Sequence, residues 1–567
     1  MKKSLLFVFI LICFKGIAQN PLFIPDTLTG PSYTLNMHED SVQFFPGAKS
    51  YTYAFNTSKY LGPTLLLDKG ANISITVNNQ ITDTTSMHWH GLHVPPIWDG
   101  GPHSPILPGG AWNPTFTVMD NAATYWYHPH PDMKTAKQAI KGAAGLIIVR
   151  DSIESALVLP RKYGIDDFPI IAQCQQYDSM NQAMPLGMED STLLVNGTMD
   201  PYLNVPAQVV RLRLLNASGE RVFNFGFTSN KQFYQIASDG GLLDAPVLET
   251  RIRLAPGERA EILLNLNGMS GQSFYLMSYA SEMPMGMQGG PTMPMPLGSP
   301  PMDSPLNGIN FNILQINVGA PTSSPITTIP TTLTTNSVYS ALSANITRTV
   351  RFTADSAMVM DGPFYFNDST FNMMRIDYTI PLNSIEIWKL VNETMVAHPF
   401  HIHDVQFYII DRDGSPPSPS EAGRKDVVLV PSGDSIMFIT KFTDFANNTV
   451  PYMYHCHILM HEDDGMMGQF IVSTSAVGID EKKETLDIDV FPNPAKDKIS
   501  VRLKSLNSNS DARITVYNSI GSKLGEFKFD QNSTSTFDVS QWSAGIYFCR
   551  VISNNSVLAT SKFIISR

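Results

Sequence analysis

The sequence predicts an all-β protein, built as successive β-sandwich modules with a small β module at its end. Three observations predict this. Gly (38) and Pro (40) are abundant, short alternating apolar/polar runs recur between Gly/Pro turns, and the long Ala/Leu/Glu/Lys runs of a helical bundle are absent. The chain has 567 residues, 43% of them hydrophobic, 10% aromatic and 16% charged. That length suits about four domains. The apolar content supports several packed cores and excludes global disorder.

Taken in order, residues 1–19 read as a secretory signal peptide: Lys2 and Lys3, an apolar run over 5–14, then mostly small residues. Bulky Ile12 before Cys13 disfavours a lipoprotein site. The run is too short to span a bilayer, and the mature chain has no candidate transmembrane segment. Residues 20–152 form a first β block with strands such as "NISITVNN" and "AAGLIIV", and one short helix is predicted at about 132–141, with Asp132 as N-cap and Gly142 after its end. Residues 153–318 form a second block ("QVVRLRLLN", "AEILLNLN", "FNILQINV"), interrupted by a Met/Pro/Gly-rich segment at 283–302. A Thr/Ser/Pro-rich linker covers 319–345. A third β block covers 346–474, a polar linker 475–488, and a small β module 489–567. The three large blocks could be repeats of one sandwich, although their sequences show little similarity.

Net charge is −11, and removing Lys2, Lys3 and Lys15 with the acid-free leader takes it to −14. An acidic chain without a basic tract is a poor nucleic-acid binder. The mature cysteines are Cys174, Cys456 and Cys549. Three scattered cysteines make no disulfide framework, so at least one is unpaired, ligated or intermolecular.

Ten of the 13 histidines fall into four clusters: His88 and His90; His128 and His130; His398, His401 and His403; and His455 and His457 around Cys456, followed by His461. One His-x-His is a modest metal signal, because strand spacing puts both rings on one face. Four such clusters are hard to explain as packing. Zinc, the alternative, would close one or two tetrahedral sites and leave most of these side chains unused. Strand parity separates two environments back to back. His401 and His403 share a face, as do His455 and His457. Cys456 and His398 have the opposite parity in their clusters and group with His461. His₂Cys with a weak axial Met is the blue-copper set, and Met466 is the best-placed axial candidate. The remaining eight histidines suit several copper ions with positions open to an oxidant. Covalently, Cys456 is flanked by two side chains of the second environment, which makes a short path for electrons.

These motifs resemble the multicopper oxidase family, which includes laccases, bilirubin oxidases and bacterial cuprous oxidases. The resemblance covers roughly residues 30–474 and extends to "HWHGLHVPPIWDGGPHSPILPGG", "KGAAGLIIV", "ASDGGLL" and "HCHILMHEDDGMM". It implies three cupredoxin-like Greek-key β-sandwiches and four copper ions, with one-electron oxidations coupled to reduction of O₂ to water. By motif position, it implies a type 1 copper on His398, Cys456, His461 and Met466. The implied type 2 copper is on His88 and His401, and the type 3 pair on His90, His128, His130, His403, His455 and His457. An axial Met suggests a lower type 1 potential than in the strongest laccases. Asp99 and Glu462 match the acids that the family places on the proton route to the cluster, against a turn residue and a solvated acid as the plain alternatives.

The donor stays open between Cu(I) and a small phenolic or other organic reductant. Met283, Met285, Met287, Met293, Met295 and Met302 offer soft thioethers for Cu(I), or adaptable surface filler. Cuprous oxidases carry their Met-rich segment in the third domain, whereas this one ends the second. Their acid and Met before the third histidine cluster have only Glu393 and Met395 as nearby counterparts. Met358, Met360, Asp361, Met373 and Met374 could help a Cu(I) site or serve strand packing. A copper-binding or storage protein without turnover is the reading from another class. Finally, "VFPNPAKDKISV", "GIYFCRV" and the basic end of 489–567 resemble the C-terminal sorting domain of type IX secretion substrates. That resemblance implies passage through the periplasm to the cell surface or exterior on the type IX machinery.

Overall fold

The computed structural model describes residues 19–185, 189–292, 304–356, 359, 362–474, 488–503, 513–518, 522–528, 534–553 and 556–567. Residues 1–18 of the expected 1–19 leader, Met293, Met295, Met302, Met358, Met360, Asp361 and positions 475–487 lie outside the described residues. Residues up to 474 belong to one compact unit, and those from 488 to a second. The chain is mostly β, in sandwiches of two sheets. Among the described residues no helix is long and apolar enough to cross a membrane.

One strand arrangement recurs three times in the larger unit. In the first sandwich Ser32–Val42 runs parallel to Asn72–Asn79. Asp167–Tyr177 pairs in the same way with Val209–Asn216 in the second, and Ile346–Ala354 with Ile385–Asn392 in the third. The facing sheets each repeat another parallel pair: Thr64–Asp68 with Gly145–Arg150, Pro201–Pro206 with Phe311–Gly319, and Tyr378–Pro381 with Met467–Ser473. A shared topology thus persists where sequence similarity has faded. Each sandwich closes over alternate apolar side chains. Ile73, Ile75 and Val77 of one strand turn into the first core. Trp388, at the centre of the third core, touches the rings of Phe400, Phe438, Tyr454 and Phe470.

Two local features depart from the sequence expectations. Asn20–Pro21 pairs with Pro201–Tyr202, so this segment edges the second sandwich and not the first. The short helix spans Thr135–Ala139 with Lys134 at its N-cap, and Asp132 does not cap it. Its first amides, on Thr135 and Ala136, donate instead to the carboxylate of Asp463. The 319–345 segment packs along the second sandwich: Val209 N–H donates to Ile326 O, and Leu333 is buried. In the smaller unit, a three-stranded and a four-stranded sheet enclose Ile499, Val516, Cys549 and Phe563.

Candidate metal centre

Four short strands carry the histidine clusters. His88–His90 is the edge strand of its sheet and lies antiparallel to Ala123–His128, with His88 opposite His128. Pro129 and His130 continue beyond that strand. In the third sandwich His398–Ile402 lies antiparallel to Tyr452–Cys456, with His401 opposite His455 and Phe400 opposite Cys456. Alternation then sorts the side chains. Cys456, Phe400 and Met466 turn into the third core. His401 and His455 turn outward, to meet His88, His90 and His130 of the first sandwich. Gly91, at φ +87°, permits this approach, since a Cβ there would sit 2.4 Å from Asp426 Oδ2.

The ten clustered histidines and Cys456 gather into groups of buried potential ligands: His88, His90 and His401; His90, His128 and His457; His130, His403 and His455; and His398, Cys456 and His461. The second and third groups are chemically telling. His90 Nε2–H donates to Asp426 Oδ1 at 3.1 Å, and His128 Nδ1–H donates to Pro129 O at 2.9 Å. The other nitrogens of these neutral rings, His90 Nδ1 and His128 Nε2, therefore carry lone pairs, yet they face each other at 3.4 Å. His403 Nδ1–H donates to Asp99 Oδ2 at 2.7 Å, and His455 Nδ1–H to Cys456 O at 3.0 Å. Their Nε2 lone pairs then face each other at 3.4 Å. His88 Nε2 and His401 Nε2 have no hydrogen-bond partner in a buried setting. Buried lone pairs turned on one another repel, and a shared cation removes the repulsion. The residues present therefore fit bound metal ions.

Protonation states agree with this. Burial, reinforced by neighbouring imidazoles, holds His90, His128, His130, His398, His401 and His457 well below the ordinary histidine range. Burial likewise lowers His403 and His461 to about 3, despite the opposing pull of Asp99 on His403. The rings are thus held neutral, as metal ligands must be. Each second nitrogen that is anchored fixes a ring's tautomer. His88 Nδ1–H donates to Asp99 O at 2.9 Å, and His401 Nδ1–H to Asp426 O at 2.8 Å. Burial opposes ionisation of Asp99, but His403 and His88 outweigh it and keep the carboxyl below its usual range. Glu462 is buried with its two oxygens 3.3 Å from His130 Nδ1 and 3.1 Å from His455 Nδ1.

At the fourth group, Cys456 Sγ lies 3.5 Å from His398 Nδ1 and 3.6 Å from His461 Nδ1. His398 Nε2–H donates to Thr394 Oγ1 at 2.9 Å, which turns Nδ1 toward the sulfur. Burial pushes the thiol up, so without a metal this cysteine stays protonated. Met466 is fully buried in the same core, and its carbonyl accepts from Cys456 N–H. His461 lies on the short helix Leu459–Asp463.

The remaining sequence candidates are placed as follows. Glu393 is held at the surface by Arg351, and Met374 is exposed. Met283 and Met287 are buried against Ala397 and Leu429, whereas Met285 is 62% exposed. His103 Nε2–H donates to Gln469 Oε1. His93 lies among Asp404, Asp120 and Asp444. Burial works against its charge, but Asp404 and Asp120 push it up to about 10. Sequence reasoning missed Asp426 and Arg259. Asp426 is a single acid ahead of an apolar strand, and no spacing marks it; only its contacts with His90 and His401 do.

Comparison with known proteins follows this geometry. Two segments, residues 36–154 and 335–476, match family models described as multicopper oxidase. Residues 489–566 match the secretion system C-terminal sorting domain. "Multicopper oxidase mco" of Staphylococcus haemolyticus is 34% identical over 453 residues, 78% of this chain and 88% of its own. "Cell division protein FtsP" of Sodalis glossinidius is 31% identical over 476 residues, 81% of this chain and 94% of its own. Among solved structures, the laccase-like multi-copper oxidase CueO of Ochrobactrum sp. superposes with a TM-score of 0.69 at 30% identity, covering 80% of this chain and all of that one.

Neutral buried histidines make the metal-free chain acid-sensitive. Their proton affinity is lower folded than unfolded, where histidine titrates near ~6.5. Below that pH the unfolded chain takes up protons that the folded one refuses. Stability is then lost as pH falls from about 6.5 toward the folded value of about 3 for His403 and His461. Among the groups pushed up, Asp120 to about 6, Glu220 to about 7, Asp463 to about 8 and His93 to about 10 act in the opposite sense over this range, against eight lowered histidines. The thermal midpoint of metal-free protein should fall steadily from pH 6.5 to 5; a flat or rising midpoint would contradict neutral, buried rings.

Proposed function

The chain belongs to the multicopper oxidase family, and we propose that it is an exported oxidase holding four copper ions. On this reading it takes single electrons from a small donor and reduces O₂ to water. The observation that carries the proposal is the set of buried imidazole lone pairs turned on one another between the first and third sandwiches. When bound, copper supplies the one-electron steps between donor and O₂. His398, Cys456 and His461, with Met466 as axial group, would hold the type 1 ion, and His88 and His401 the type 2 ion. His90, His128 and His457 would hold one type 3 ion, and His130, His403 and His455 the other. This split follows the ligand groups.

The chain's own residues do the rest. Cys456 lies between His455 and His457, so peptide bonds alone link the donor-side thiol to both type 3 groups. Water formation consumes protons, and two buried carboxylates stand where protons must arrive. Asp99 Oδ2 holds the Nδ1 proton of His403, while its Oδ1 has no hydrogen-bond partner. Glu462 lies between His130 and His455. The match at 489–566 supports export through the type IX route, to the surface or the exterior.

For the donor we favour Cu(I). The start of the Met-rich segment docks on the residue that precedes ligand candidate His398: Ala397 N–H donates to Gly286 O at 3.2 Å, and Gln288 Nε2–H donates to Ala397 O at 2.9 Å. Met285 is exposed beside that contact, with a thioether suited to a soft cation. The burial of Met283 and Met287 as packing favours the second reading, an organic reductant.

Two measurements test this. Copper-loaded protein should consume O₂ rapidly with Cu(I), and Met285→Ala combined with deletion of 293–302 should slow that uptake while leaving the blue band intact. Uptake with a phenol alone would make the donor organic, and no uptake with either would favour a binding protein without turnover. Asp99→Asn should bleach with reductant normally yet turn over about 10²–10⁴-fold more slowly. Unchanged turnover would remove Asp99 from the proton route.

A further inference from the structure

The second sandwich supplies no member of the four ligand groups, yet two of its residues reach the centre. Gly257, at φ +85°, lies so close to the ring of His457 that a Cβ would sit 2.9 Å from it. Arg259, two residues on, opens the strand Arg259–Asn265 and is fully buried. A guanidinium has five N–H groups in a rigid fork, and here all five find acceptors. Nε–H donates to Thr124 O at 3.0 Å, Nη1–H to Gly257 O at 3.1 Å, and Nη2–H to Asp239 O at 2.9 Å. The other two donate to Asp426 Oδ1 and Oδ2, each at 2.6 Å. Thr124 belongs to the first sandwich, on the strand that carries His128. Asp426 belongs to the third. Its Oδ1 takes the Nε2 proton of His90, and its backbone carbonyl takes the Nδ1 proton of His401.

We propose that Arg259 is a positioning residue for the metal centre. By fixing Asp426 in a two-pronged grip, it sets the tautomer and direction of His90 and His401, and with them the copper affinity of the histidine groups shared by the first and third sandwiches. The ligand-free sandwich thus acts as the clamp of a site it does not ligate. This inference rests on the copper reading above. Its rival is that Arg259 merely joins sandwiches. Arg211 provides the comparison: it is equally buried, lies on the neighbouring strand Val209–Asn216, and pairs with Glu154 and Glu261 without touching a ligand's carboxylate.

The test compares wild type, Arg259→Lys and Arg211→Lys as full copper-loaded chains. Lysine keeps the charge and loses the fork. Three quantities are read: copper per chain after graded chelation, the blue band against the near-ultraviolet band of the paired ions, and the thermal midpoint of metal-free protein. Arg259→Lys should keep the blue band and lose type 2 and type 3 copper about 10–100-fold more readily, whereas Arg211→Lys should keep both. Equal copper loss in the two variants, or none in Arg259→Lys, would overturn the proposal. Should Arg259→Lys fail to fold, Asp426→Asn is read in the same way; if neither folds, the pair is a general structural tie and the proposal falls. A wild type that takes up no copper would refute the underlying copper reading instead.

Discussion

Buried nitrogen lone pairs aimed at one another are the constraint around which this protein is arranged. At 3.4 Å, His90 Nδ1 faces His128 Nε2 and His403 Nε2 faces His455 Nε2, contacts that these anchored neutral imidazoles satisfy only through a shared cation. Protonation is no escape, because burial keeps most of these rings from accepting a charge. The arrangement also divides responsibility between parts of the chain far apart in sequence. The first sandwich brings His88, His90, His128 and His130 and the third the other histidines, and neither completes any of the three all-histidine groups alone.

Holding lone pairs in place requires holding the opposite edge of each ring. Backbone carbonyls of Asp99, Pro129, Asp426 and Cys456 do much of this, together with the carboxylates of Asp99 and Asp426. Ring orientation therefore depends on loop positions such as 99 and 426, and through Arg259 on a sandwich with no ligand of its own. The donor side is built differently. Cys456 and Met466 belong to a hydrophobic core in which Phe364 packs against both His398 and His461. A thiol there stays protonated until a metal displaces the proton.

Much of this was legible in the sequence because its signals are periodic or local. Period-two spacing predicted strands, and it also predicted that Cys456 would turn away from His455. Which histidine strands share a group was implied by the family resemblance, motif by motif. Signals that depend on tertiary placement were not legible. Asp132 looked like a helix cap, but Asp463, more than 300 residues away, supplies that carboxylate, because the two short helices pack together. Asn20–Pro21 reads as the start of the first module, yet joins the second through a parallel pair that no local pattern specifies. The methionines of 283–287 looked uniform by composition. The fold separates them into two packed side chains and one exposed. Asp426 and Arg259 carry no motif at all, since their meaning lies in a contact between residues 167 positions apart.

The central claim is that ten histidines, one cysteine and one methionine make a complete four-copper centre. Its most direct test is to count copper per folded chain and the fraction of it seen by electron paramagnetic resonance. The account predicts the family's four copper ions per chain, about half of them silent because the type 3 pair is magnetically coupled. One ion at the cysteine site with nothing bound between the sandwiches, or a full complement with every ion visible, would contradict it.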